Sequence, residues 1–145
     1  MICVVDASVA VKWFVEGDWA ESEDHIDHAL ELLLAVRNGA ANMYQPPHFL
    51  AEVMAVLARK KAAGAAQDLN DLLNMEMRYV ESAGIYNTAL DLAVRSQHHL
   101  FDTLYHAVAL NTPGAILVTA DRRYYDKAVP FGQIAWLTEL KLAPP

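Results

Sequence analysis

The opening of this chain, Met1-Ile2-Cys3-Val4-Val5-Asp6-Ala7-Ser8, constrains its fold more than any other stretch. Ile2 to Val5 is an unbroken apolar run rich in β-branched side chains, with no polar residue at alternate positions. Such a run suits a strand buried on both faces, as in a parallel sheet, and not the half-solvated strand of an antiparallel one. Asp6 ends the run, and Ser8 is a favourable N-cap for the helix that should follow. Ligands of open α/β sheets bind beyond the carboxyl ends of the strands, so Asp6 stands where chemistry is expected.

The remaining pattern alternates in the same way. Apolar periodicity predicts helices over about residues 9–15, 19–37, 48–63, 67–77, 100–110 and 122–129, and one from a cap at Asn87 to Gln97. Short strands are expected over about residues 42–45, 115–118 and 133–137, with a weaker candidate over 78–81. Strands alternating with helices predict an α/β fold, a single domain over residues 1–145 with a parallel sheet flanked by helices. No apolar stretch approaches the roughly 18 residues of a membrane span, and no basic segment precedes the first apolar run. The lone cysteine, Cys3, rules out an internal disulfide framework and reads as a small buried strand residue. A cytoplasmic protein is expected.

The net charge of −7 is unevenly distributed. Glu16, Asp18, Glu21, Glu23, Asp24, Asp27 and Glu31 fall in one segment without Lys or Arg, and the rest of the chain is balanced. If that segment is one surface helix, the excess is local, and an anionic partner elsewhere is not excluded.

Four other acids stand out because of what surrounds them. Asp6 is the only charged residue before Lys12, Glu52 the only one between Arg37 and Arg59, and Asp102 the only one between Arg95 and Asp121. Asp121 follows the second clear buried strand. Glu52 and Asp102 lie within apolar helical segments. Isolated ionised carboxylates in such settings are costly unless paired or coordinated to a metal. None of the four has a basic neighbour three or four positions away, so convergence on a shared cation is the economical solution. Oxygen ligands suit Mg²⁺ or Mn²⁺. The six histidines show no compact zinc spacing and read as scattered structural residues.

Val4-Val5-Asp6-Ala7-Ser8, His48-Phe49-Leu50-Ala51-Glu52-Val53, Phe101-Asp102-Thr103-Leu104-Tyr105-His106-Ala107 and Leu117-Val118-Thr119-Ala120-Asp121 appear in that order. Together they resemble the motifs of PIN-domain ribonucleases, over essentially the whole chain. The single-domain layout looks most like the VapC-type toxins of bacterial toxin–antitoxin pairs. The resemblance implies a five-stranded parallel sheet with Asp6, Glu52, Asp102 and Asp121 around Mg²⁺ or Mn²⁺, supported by the hydroxyls of Ser8 and Thr119. It further implies an RNA substrate, a homodimer, and an antitoxin protein clamped by the first helices, where Trp13, Phe14 and Trp19 are either core or interface. Phe101 departs from the pattern, since many members carry tyrosine before this aspartate.

Lys12, Arg122 and Arg123 are candidate RNA phosphate contacts, although solvated surface charge is the better reading of each taken singly. Asp126 is a further nearby acid. Two other readings stay open: a catalytically inactive PIN-like protein-binding module, and a receiver-like signalling domain phosphorylated on aspartate. A receiver would want paired acids after the first strand and a lysine after a late one. A dehalogenase-like phosphatase would want an aspartate where Ser8 stands.

Overall fold

The computed structural model describes residues 1–144. Five strands form one sheet: β1 (Ile2–Val5), β2 (Asn42–Gln45), β3 (Met77–Tyr79), β4 (Ile116–Thr119) and β5 (Ile134–Trp136). Their order is β3-β2-β1-β4-β5, and every neighbouring pair runs parallel. Cys3, Val4 and Val5 have no solvent exposure, as the unbroken apolar run of β1 required. Burial pushes the Cys3 thiol up to about 12, so it acts as a small apolar residue. The chain builds outward from β1 on one side and then crosses to β4 on the other. The crevice at this reversal opens beyond the carboxyl ends of β1 and β4. The order also differs from the 2-1-3-4-5 arrangement of receiver-type folds, which removes the fold-level support for that alternative.

Helices α1 (Ala7–Ala10), α2 (Gly17–Ser22), α3 (Ile26–Arg37), α4 (Phe49–Lys60), α5 (Ala65–Leu73), α6 (Ala83–Ser96), α7 (Leu100–Leu110) and α8 (Arg122–Ala128) connect the strands. Helix α7 is buried continuously from Thr103 to Ala109 and packs against β1, β2 and β4. The Thr103 hydroxyl donates to the Ala89 carbonyl at 2.8 Å, fixing α7 to α6. Beyond Cys3↔Met43 the β1–β2 register is no longer continued by backbone pairing. There the fully buried Gln45 takes over: its Oε1 accepts from Val5 N at 2.7 Å and its Nε2 donates to Val5 O at 2.8 Å.

Several sequence expectations need correction. The helix expected over residues 19–37 is two helices, α2 and α3, separated by Glu23, Asp24 and His25. His25 is left-handed, with φ 59°. Lys12 holds this break together, its ammonium donating to Glu23 Oε1 at 2.9 Å and to the Asp24 carbonyl at 2.6 Å. Local periodicity carries no information about a lysine reaching across from another element. The acidic segment is therefore not one surface helix, and two of its acids are paired: Glu23 with Lys12, and Glu16 with Lys61 at 3.6 Å. Helix α6 begins at Ala83 and not after Asn87, because Ser82 caps it by accepting from Ile85 N at 3.1 Å. Trp13, Phe14 and Trp19 are partly buried against the core, with the Trp13 indole N–H donating to Ala29 O at 2.8 Å.

Candidate active site

Four helix starts deliver the four isolated acids to one end of the sheet. Asp6 leaves β1 and caps α1, and Asp121 leaves β4 and caps α8 by accepting from Tyr124 N at 3.2 Å. Glu52 and Asp102 lie in the first turns of α4 and α7. Backbone N–H groups at helix starts favour negative charge, so each acid is in a locally tolerable place. Their gathering is what costs energy.

Asp6 is only 8% exposed. Its Oδ2 accepts from the Ser8 hydroxyl and from Ser8 N at 3.2 Å, and the Thr119 hydroxyl lies 3.4 Å away. These hydroxyls also join the two strand exits. Ser8 Oγ accepts from Ala120 N at 3.0 Å, and Thr119 Oγ1 accepts from Asp121 N at 3.1 Å. Ser8, expected to cap the helix after β1, instead lies within α1, because Asp6 itself takes the cap position and accepts from Ser8 N.

Glu52 accepts from the Tyr105 hydroxyl at 3.3 Å and lies 3.1 Å from His48 Nε2. His98 Nε2 lies 2.9 Å from Asp102 Oδ2 and 3.9 Å from Asp121 Oδ2. The Lys127 ammonium is 3.3 Å from the other ring nitrogen of His98. Since an ammonium can only donate, Nδ1 accepts and Nε2–H points to Asp102. A ring nitrogen of His98 and carboxylate oxygens of Asp102 and Asp121 all lie within 4.8 Å of one another; in this tautomer the histidine orients the acids, and the oxygens are what a cation would meet.

These histidines correct the sequence reading, which treated all six as scattered structural residues. His106 is one: fully buried, it pairs with the Tyr124 hydroxyl at 2.9 Å and Gly132 O at 2.7 Å. His48 and His98 instead each precede a site carboxylate by four residues and contact it. That repeated offset was the available signal, and counting only Lys and Arg as basic concealed it.

The cluster is short of positive charge. Among the described residues, none of the four carboxylates is paired with Lys or Arg. Burial, opposed by the Ser8 hydrogen bonds and reinforced by the Asp102 and Glu52 charges, raises Asp6 to about 7. Burial and Glu52 raise Asp102, while His98 opposes the rise. Burial and the surrounding acids push the Tyr105 and Tyr124 hydroxyls far up, so both remain neutral donors. A carboxylate whose proton affinity is raised by burial first and by neighbouring acids second, with no Lys or Arg beside it, fits a divalent ion in its donor chemistry and its charge.

The expected phosphate contacts divide. Lys12 is 5% exposed and committed to Glu23 and Asp24, so its charge is not offered to a ligand. Arg122 and Arg123 are exposed at the start of α8, directly after Asp121. The Arg122 guanidinium stacks 4.0 Å from the Trp136 ring centroid and lies 3.7 Å from Asp126, which is thereby a surface partner.

A family model described as PIN domain matches residues 3–130. No curated protein matches the chain. Among solved structures, the chain is similar to the crystal structure of VapBC2 from Rickettsia felis bound to a DNA fragment from their promoter. The two share 18% identity with a TM-score of 0.65, covering 93% of this chain and 98% of that one. At that identity the likeness is one of fold.

Proposed function

The chain belongs to the PIN domain family, and on that premise we propose that it is a metal-dependent ribonuclease serving as the toxin of a toxin–antitoxin pair. The observation that carries this reading is the convergence of Asp6, Glu52, Asp102 and Asp121 at the sheet's topological reversal without a neutralising Lys or Arg. Asp6, Asp102 and Asp121 would hold Mg²⁺ or Mn²⁺, with Glu52 binding directly or through water. The ion would supply neutralisation of a phosphodiester's developing charge and a lowered pKa for a water in its shell.

The chain's own residues do the rest. Ser8 and Thr119 fix the Asp6 carboxylate, Tyr105 and His48 fix Glu52, and His98 fixes Asp102, so that reorganisation during reaction is small. A carboxylate of the cluster accepts the proton of the attacking water. Arg122 and Arg123 contact flanking phosphates, which positions the strand without reading its sequence. The resemblance to VapC-type toxins and the fold likeness to VapBC2 support an antitoxin as the protein partner, and the same resemblance supports a homodimer. No helix among the described residues is long and apolar enough to cross a membrane.

The test is incubation of the chain with RNA in Mg²⁺, in Mn²⁺ and in excess chelator, beside the Asp6→Asn variant. Scission confined to the metal-loaded parent supports the proposal. Undiminished scission in chelator or in Asp6→Asn would sink it, and binding of a protein partner with no scission at all would favour the inactive binding module.

A further inference from the structure

Beside the carboxylates lies an apolar groove of about 200 Å³ between the β2–α4 connection, the end of β3, and helices α6 and α7. Its floor is at the same carboxyl edge of the sheet as Asp6 and Asp121. Pro46 and Val80 directly follow the register pair Gln45↔Tyr79, and both line the groove. One wall is shared with the site: His48 contacts Glu52 at 3.1 Å and the Phe101 carbonyl at 2.7 Å, and Phe101 immediately precedes Asp102. The Phe101 side chain is 61% exposed and Tyr86, across the groove, 43% exposed.

We propose that this groove is a stacking subsite for one unpaired nucleobase of the RNA strand held at the carboxylates. The proposal rests on the nuclease reading and adds the place where one base of the strand is seated. Three features select a base over other occupants. No Lys or Arg lines the groove, so it offers nothing to a phosphate but presents neutral aromatic surface to a π-face. Its volume suits one planar ring system and not a helix. Glu81, which accepts from the Tyr86 hydroxyl, places a carboxylate acceptor on the groove wall where an exocyclic amino group can donate. Bases within a duplex are stacked on their neighbours and cannot enter, whereas bases of a single strand can splay out onto aromatic side chains.

The experiment measures binding of fluorescein-labelled 10-nucleotide oligo(A), oligo(C) and oligo(U) to the full chain carrying Asp6→Asn, which prevents cleavage. Adding Phe101→Ala should weaken binding about 5- to 150-fold, the range for loss of one base–aromatic stack, while Phe101→Trp preserves it. Leu34→Ala, at an equally exposed position on α3, should change nothing. An abasic nucleotide scanned along the strand should reproduce the Phe101→Ala loss at one position and not add to it. Binding within twofold of the parent in Phe101→Ala, with Arg122→Ala still weakening it, overturns the subsite and leaves the nuclease reading standing. Absence of binding to any RNA overturns both. A change of oligomeric state in Phe101→Ala, read by light scattering, assigns the groove to a second copy of the chain and also overturns the proposal.

Discussion

Two buried aspartates in this molecule have opposite surroundings. Asp68, on α5, is 6% exposed and is met by the Lys61 ammonium at 2.9 Å, with Glu16 joining the same lysine. Asp6 is 8% exposed and is met by two hydroxyls and by other acids. Lys61 is the clamp of a structural corner, donating also to the Phe14 carbonyl at 3.0 Å, and its partners raise its pKa. Asp6 is held near neutrality instead. A buried acid that serves the fold brings its cation with it, because an unpaired buried charge is strongly destabilising. A buried acid left without one, among other acids, is a candidate for a site that charge from outside completes.

The contrast breaks first at Asp6. Asp6→Asn should lower metal-dependent RNA scission by about a hundred- to a thousandfold, as loss of a central charge-stabilising group does, with the circular dichroism spectrum unchanged. Lys61→Met is the mirror experiment: it should destabilise the fold by about 3–5 kcal/mol in denaturant unfolding and leave Mn²⁺ affinity within twofold. A metal-binding defect in Lys61→Met would dissolve the distinction between the two sites.

The pH dependence of the metal-free protein sharpens it further. The Asp6 carboxyl is raised from its ordinary 3.8 to about 7, so between those values the folded state holds a proton that the unfolded state has lost. Stability should therefore fall as pH rises through this window and level off above it, by at most about 4 kcal/mol. Thermal unfolding in chelator at pH 5 and pH 8 checks this, and the slope should flatten in Asp6→Asn. The smallest effect expected is that of His98→Gln, which removes the orienting contact to Asp102. A 10- to 100-fold loss of Mn²⁺ affinity in calorimetry, without loss of fold, is the expected size for such a supporting residue.

Much of the fold was legible in sequence because its signals are local. The apolar run of Ile2–Val5 and the apolar periodicity of α4 and α7 place their elements within a few residues of where they stand. The break between α2 and α3 was not legible, since it depends on Lys12 reaching over from the turn after α1. Nor was the Ser82 cap, overshadowed by a later Asn87 that caps nothing. At the site, Asp6, Glu52 and Asp102 were separable by their isolation from other charge and Asp121 by its place after a buried strand, whereas the contacts of His48 and His98 were hidden among six histidines of different fates.

What the sequence determined by itself is the parallel α/β sheet and which four carboxylates are candidates for a site, because burial period, local charge and position after a strand are properties of neighbouring residues. What only the tertiary structure decided is which charges meet. Lys61 reaches Asp68 and Lys12 reaches Glu23, leaving Asp6, Glu52, Asp102 and Asp121 with hydroxyls and imidazoles. Electrostatic energy depends on separation in space, and residues 6, 52, 102 and 121 acquire theirs only when β1 and β4 end, and α4 and α7 begin, at the same edge of the sheet.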